Sequence, residues 1–372
     1  MKRVLVTGGA GYIGSHLVDA LVRQGNEVTV FDSLVRQVHR SGNWPPYINL
    51  GARYVQGDVR DREALASLVV EAEIVVHFAA AVSVGQSMYQ VDRYVDVNTH
   101  GTGVLLDILV NEKNKVEKLL VASSVGVYGE GAYECLSCGS VAPPLRSASQ
   151  LAAKDWELNC PVCNRKLQPK PTSEEKPFQC ENIYAQTKRH QEEMCLLIGK
   201  TYGIPTVAVR FFNVFGPRQS LSNPYAGVAA IFLSRLLNGN PPIIFEDGGQ
   251  LRDFVSVHDV VDGLILLIEK SGADYLPVNL GSGNSVSILQ VAETLIKLLG
   301  SPLRPQITQK ARKVDVRHCF ADISRACQTV GFDPKVLFED GMREFVEWAR
   351  HQPDTIDLFD RAYSELQGRG LA

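Results

Sequence analysis

The sequence predicts an α/β protein built on a doubly wound parallel sheet, with a smaller discontinuous C-terminal lobe and a cysteine-rich insertion. Three observations carry this prediction. Short β-branched runs alternate with helix-period segments, a glycine-rich turn joins the first run to the first such segment, and two stretches interrupt the alternation. Residues 2–7 (KRVLVT) read as a strand, Ile13 to Val22 as a helix and Val28 to Phe31 as the second strand. Further strands are expected at Arg53–Val55, Ile74–Phe78, Leu119–Ala122, Thr206–Phe212 and Val278–Leu280. Helical patterns fall at 61–70, 100–111, 183–201 and 259–269. Strands separated in this way by helices require a parallel sheet covered on both faces. The expected units are 1–212 with 255–283 for the sheet domain, 130–182 for the insertion, and 213–254 with 284–372 for the second lobe.

Composition narrows the function. A chain of 372 residues with 45% hydrophobic and 21% charged residues can bury a large core and lacks the signature of a disordered chain. The net charge of −3, with Lys and Arg dispersed, gives no electrostatic reason to bind nucleic acid or an acidic membrane. The opening MKRVLVTGG enters strand-like sequence directly, and no run of eighteen apolar residues follows, so a cytoplasmic protein without membrane attachment is expected.

The turn Thr7-Gly8-Gly9-Ala10-Gly11-Tyr12-Ile13-Gly14 sets glycines three apart between a strand and a helix. There the backbone can approach a pyrophosphate at the helix N-terminus, as in a Rossmann-type dinucleotide site. Asp32 ends the second strand, where a carboxylate can accept from both ribose hydroxyls and repel a 2′-phosphate, which favours NAD over NADP. Asp58, in Gly57-Asp58-Val59, is either an adenine contact or a turn aspartate. Ser123 and Ser124 close a strand at the sheet edge where ligands bind, and Tyr184 and Lys188 lie four apart on one helical face. A phenol beside a fixed cation should have its pKa lowered and can act as a base. His77 reads as a packing histidine, and Asn98 either faces the cofactor or caps a helix.

The segments TGGAGYIG, GDVRD, HFAA, VNTHGT, SSVGVYG, YAQTK, RFFNVFGPRQ, LRDFVSVHD and FADISRA resemble the extended short-chain dehydrogenase/reductases, in the nucleotide-sugar epimerase and dehydratase branch. The similarity spans nearly the whole chain except 130–182. It implies a catalytic set of Ser124, Tyr184 and Lys188. It also implies NAD held by Gly8, Gly11, Tyr12, Ile13, Gly14, Asp32, Asp58, Val59, Ala79, Ala80, Asn98, Ser123 and Phe212, together with Tyr184 and Lys188. Asn213, Arg252 and Arg312 are implied at the nucleotide diphosphate, where arginines make charge-assisted bonds to phosphate. Gln86 is expected near the sugar beside Ser124, and a homodimer through the helices near 100–111 and 183–201.

Members of this branch share a first oxidation and differ afterwards. The 4,6-dehydratases follow the serine or threonine with Asp-Glu, and the glucuronate decarboxylases carry a Glu in the same loop; here Val125-Gly126 follows Ser124. Without a second proton-transfer pair the economical outcome is 4-epimerisation. Val82 stands where the UDP-galactose 4-epimerases carry a lysine, while VGQSMYQVDRYVDVNT, RFFNVFGPRQSLSNPYAGVAAIF and VRHCFADIS resemble the dTDP-L-rhamnose 4-epimerases. Epimerases of UDP-galactose, UDP-N-acetylhexosamine or UDP-glucuronate remain open, and the small Cys319 stands where the first of these uses a large or a small residue to exclude or admit an N-acetyl group. So does a catalytically silent NAD-binding regulator.

Within the insertion, Cys135-Leu136-Ser137-Cys138 and Cys160-Pro161-Val162-Cys163 are separated by twenty-one residues. Two such knuckles, each followed by turn residues, suit a structural zinc in a ribbon-like lobe too small to fold alone. Free or oxidised thiols in a surface loop are the alternative.

Overall fold

A computed structural model describes residues 1–312, 315–352 and 354–371. Its centre is a seven-stranded sheet in the order Pro277–Leu280, β9 (Thr206–Phe211), β5 (Lys118–Ser124), β4 (Ile74–His77), β1 (Arg3–Thr7), β2 (Glu27–Asp32) and β3 (Arg53–Gln56). All of its pairings are parallel. Each strand coincides with one of the runs expected from sequence; the central strands are apolar at inward and outward positions alike because both sheet faces are covered, while the edge strand β3 keeps polar, exposed ends. Chain order reverses on either side of β1, and the crevice above the β1 and β4 ends is the switch point at which open sheets bind ligands.

Two apolar layers sandwich the sheet. Helix α1 (Tyr12–Arg23) and the helix Val257–Glu269 cover one face with Leu17, Leu21, Val260 and Leu264. Helix α2 (Arg62–Val69), the helix Gly101–Asn111 and the helix Ile183–Tyr202 cover the other with Leu65, Leu105, Ile108 and Cys195. A further core built from Phe215, Phe232, Leu233, Val291, Leu295 and Phe345 packs beyond the carboxyl ends of the strands.

Between β5 and the helix Ile183–Tyr202, the insertion folds as a three-stranded antiparallel sheet. Strand β6 (Ala132–Cys135) lies between β7 (Gly139–Val141) and β8 (Gln168–Lys170). Its own core is small, with Tyr133, Cys135, Leu158, Cys160 and Leu167 buried. Among the described residues, no helix is long and apolar enough to cross a membrane.

Candidate active site

A single cleft of about 2000 Å³ runs from the glycine turn across the strand ends to the second lobe. At its start Gly8 adopts φ +71°, and a Cβ there would lie 2.7 Å from the Ala79 nitrogen. A Cβ on Gly14 would lie 2.6 Å from the Gly8 oxygen, so both positions require glycine for close backbone approach. Gly11 precedes α1 without a side-chain cap, which leaves first-turn N–H groups for an anionic ligand. Asp32 accepts from the backbone N–H of Ala10 at 3.1 Å and of Leu34 at 2.9 Å, which fixes its carboxylate at the β2 end. Tyr12, Ile13, Val59, Ala79 and Ala80 complete this wall. Asp58 also lines it, but its carboxylate is engaged by Arg60 at 2.7 and 2.8 Å, and that bond holds its pKa below the usual range. These residues fit a dinucleotide.

The catalytic candidates meet at the middle of the cleft. Strand β5 ends at Ser124, whose Oγ accepts from the Gly126 N–H at 3.1 Å. Asn182 caps the helix Ile183–Tyr202 by accepting from the Ala185 N–H at 2.9 Å, which sets Tyr184 and Lys188 on the face turned to β5. Both are buried, and both line the cleft with Ser123 and Ser124. Lys188 donates to the Ala122 carbonyl at 2.8 Å. The expected lowering of the Tyr184 pKa needs correction for the chain on its own. Burial raises this phenol, with a Ser124 hydrogen bond opposing the rise, and burial pushes Lys188 down to about 7. Desolvation disfavours both charged forms and outweighs the attraction of a cation one turn away.

Several expected contacts lie behind the wall. Asn98 sits in a π-helical turn, Val95–His100, that aims it inward. Its carboxamide accepts from the Ala81 N–H at 2.7 Å and donates to Thr187 at 2.9 Å, clamping the loop after β4 to the helix Ile183–Tyr202. Gln86 is buried as well, with Oε1 accepting from the Tyr94 hydroxyl at 3.1 Å, while Val82 and Ser83 line the cleft in its place. The Ser123 hydroxyl donates to Glu192 at 2.6 Å, away from the cleft. His77 is a packing residue. It bonds Thr7 and Thr102 at 2.9 and 3.0 Å, and burial lowers its pKa to about 3.

At the far end, Phe212, Asn213, Arg252 and Arg312 all line the cleft. Their commitments are more extensive than the spacing suggests. Arg252 donates to the carbonyls of Arg317 at 2.9 Å and of Leu251 at 2.8 Å. Arg312 pairs with Asp315 at 2.8 and 3.0 Å and lies 4.5 Å over the Phe245 ring. Cys319 is buried among Val127, Tyr128 and Phe212 and is not on the cleft wall. Sequence reading missed Asp315 and the C-terminal residues Phe359, Tyr363 and Leu366, which return over the cleft from far along the chain. No local spacing signals such a return.

Apart from the cleft, the Sγ atoms of Cys135, Cys138, Cys160 and Cys163 all lie within 4.8 Å of one another.

Comparison with known proteins matches this arrangement. Residues 4–152 and 161–281 match the family described as the NAD dependent epimerase/dehydratase family, to which the chain belongs. It is 34% identical to a dTDP-L-rhamnose 4-epimerase of Burkholderia thailandensis over 95% of this chain and 96% of that protein. The UDP-glucose 4-epimerase of Thermotoga maritima, solved with UDP-glucose, is 30% identical with a TM-score of 0.77, over 94% of this chain and 99% of that one. That of Thermus thermophilus, solved with NAD, is 28% identical with a TM-score of 0.74 and the same coverage.

Proposed function

We propose that this protein is an NAD-dependent 4-epimerase of a nucleotide-linked hexose, with dTDP-L-rhamnose as its substrate. The observation that carries the proposal is the convergence of Ser124, Tyr184 and Lys188 beside the glycine turn, in a cleft whose carboxylates lie elsewhere. Those carboxylates are Asp32, Asp58, Asp315 and Asp354, among the described residues, and the turn after Ser124 offers only Val125. Dehydration or decarboxylation needs an acid or base beside that serine; epimerisation does not.

In this reading Gly8, Gly11, Gly14 and Asp32 hold NAD, with Tyr12, Ile13, Asp58, Val59, Ala79, Ala80 and Phe212 along it. Bound NAD supplies a reversible hydride acceptor. Tyr184 takes the proton of the sugar O4 and later returns it, and Ser124 hydrogen-bonds O4 throughout. Lys188 orients the cofactor ribose. Asn213, Arg252 and Arg312 anchor the nucleotide diphosphate while the keto sugar turns over in the cleft, exposing its other face. Asn98 acts by positioning the catalytic helix. The apolar Val82 and Phe212 suit a 6-deoxy sugar, which needs no polar partner at C6. The one-third identity to the Burkholderia enzyme supports the same choice.

Three finer expectations accompany this reading. The helices Gly101–Asn111 and Ile183–Tyr202 would form a homodimer, supported by the exposed Leu197 on the second and Val95 in the π turn that leads into the first. The protein would work in the cytoplasm. Cys135, Cys138, Cys160 and Cys163 would bind a structural zinc.

The test is incubation of the NAD-loaded protein with dTDP-L-rhamnose, UDP-glucose, UDP-N-acetylglucosamine and UDP-glucuronate, with epimers read by NMR. Conversion of dTDP-L-rhamnose well above the others is expected. Preferred conversion of a UDP sugar would reassign the substrate, and no conversion of any would favour a silent NAD-binding regulator.

A further inference from the structure

We infer that the cysteine-rich insertion is a metal-stapled brace for residues 315–319 of the substrate lobe, so that metal occupancy sets nucleotide-sugar affinity and leaves the chemical step alone. The affinity part rests on the function proposed above. The two knuckles share one geometry, each turning through a left-handed residue after its second cysteine, Gly139 at φ 75° and Asn164 at φ 58°. Cys135 pairs with Gly139 across the β6–β7 hairpin. In the second knuckle the Cys160 N–H donates to the Arg165 carbonyl at 2.7 Å, and the Asn164 N–H donates back to the Cys160 carbonyl at 2.9 Å. A tetrahedral four-thiolate zinc with bonds of about 2.3 Å places its sulfurs about 3.8 Å apart. The Sγ atoms here lie within 4.8 Å of one another, with Cys135 and Cys163 at 3.4 Å. A core that counts two of the thiols among its five buried residues needs such a staple.

The lobe grips one loop. Glu157, just before the second knuckle, accepts from Arg317 Nε at 3.0 Å and Nη2 at 2.6 Å, and meets His318 Nε2 at 2.8 Å. Glu130, just before β6, accepts from the Arg317 N–H at 2.8 Å and from the Tyr133 hydroxyl at 2.9 Å. Arg146 donates to the Asp315 carbonyl at 3.2 Å. In turn, Arg252 holds the Arg317 carbonyl and Arg312 holds the Asp315 carboxylate. The insertion and the two cleft arginines thus share the same short stretch of chain. If the knuckles loosen, Glu157 lets go of Arg317 and His318, the Arg317 guanidinium keeps Glu246 and Asp247 as its acidic partners, and the stretch that the two arginines bind is held less firmly.

The test uses the full chain purified without chelator. Zinc is measured by mass spectrometry, dTDP and UDP binding by calorimetry, and turnover by steady-state kinetics. About one zinc per chain is expected. Glu157→Ala should keep zinc and NAD, weaken dTDP and UDP binding, and raise the nucleotide-sugar KM roughly tenfold with kcat within about twofold. Cys163→Ser should lose zinc and reproduce that KM shift. Zinc-free protein whose four thiols titrate freely or are oxidised overturns the metal. Unchanged dTDP and UDP affinities in Glu157→Ala overturn the brace, and that variant decides the matter if Cys163→Ser aggregates. Should no sugar nucleotide be converted, the function above fails while zinc content and dTDP and UDP binding still judge the brace.

Discussion

Lys188 Nζ lies 2.8 Å from the carbonyl oxygen of Ala122, so the helix Ile183–Tyr202 is tied to β5 by a buried ammonium that has given up most of its water. Burial holds its pKa at about 7 against an ordinary value of 10.5. Between these values the unfolded chain binds more protons than the folded one, so stability rises with pH. The penalty is fully present below about pH 7 and vanishes above about 10.5. Lys188→Met should therefore be more stable than wild type at pH 6, with the difference shrinking by up to about 1.4 kcal/mol per pH unit across the window. Urea unfolding of both proteins from about pH 6 to 10 reads this directly; parallel curves would contradict it. The variant should also lose turnover.

Tyr184→Phe removes a hydroxyl from a buried ring packed near Ala81 and Tyr94, and it leaves the hydrophobic contacts in place. Turnover should fall by about 10²–10⁴, the usual worth of a positioned acid–base group, while NAD affinity and unfolding midpoint change little. A variant keeping a tenth of the wild-type rate would remove Tyr184 from the mechanism.

Gly14→Ala brings a Cβ to 2.6 Å from the Gly8 oxygen and 2.8 Å from the Gly9 Cα, both backbone atoms that cannot swing aside. Overpacking of this kind costs about 1–3 kcal/mol. The glycine turn must open, so NAD binding should weaken at least tenfold by fluorescence titration. Unaltered NAD affinity would show that the turn does not hold the pyrophosphate.

Glu192 and Arg210 form a buried pair between the helix Ile183–Tyr202 and β9, with Nε to Oε2 at 3.0 Å, and Ser123 of β5 bonds the same carboxylate. Glu192→Gln leaves the guanidinium buried and underpaired, for which a loss of about 3–5 kcal/mol is expected in chemical denaturation. Arg210→Met together with Glu192→Leu should recover part of that loss, because an apolar pair demands no desolvation of charge. Glu192→Gln protein as stable as wild type would mean that water reaches the pair.

Much of this site is legible in one dimension because its physical requirements are local. Gly8 and Gly14 sit where backbone approaches backbone, Asp32 ends a strand, and Tyr184 and Lys188 are one helical turn apart, so their placement follows from spacing, while the catalytic role proposed for the last two rests on the family resemblance. The seven strands are equally legible, since a doubly covered sheet demands continuous apolar runs. Side-chain direction is a different matter. Asn98 is expected at the cofactor or as a cap and Gln86 near the sugar; in the folded chain a π turn and the Tyr94 hydroxyl draw their carboxamides inward, onto protein partners.

By itself the sequence determined the parallel sheet, the glycine turn and the paired cysteine knuckles, all set by residue type at short range, while the family resemblance supplied the proposed catalytic set of Ser124, Tyr184 and Lys188. Only tertiary structure decided what those groups touch. Arg252 and Arg312 are bound to the 315–319 stretch, Glu157 reaches Arg317 across 160 positions of chain, and Tyr363 returns from the C-terminus to the cleft. Burial, too, belongs to the folded chain. It lowers Lys188 and raises Tyr184 through loss of water, a property of the packed surroundings that no spacing of residues encodes.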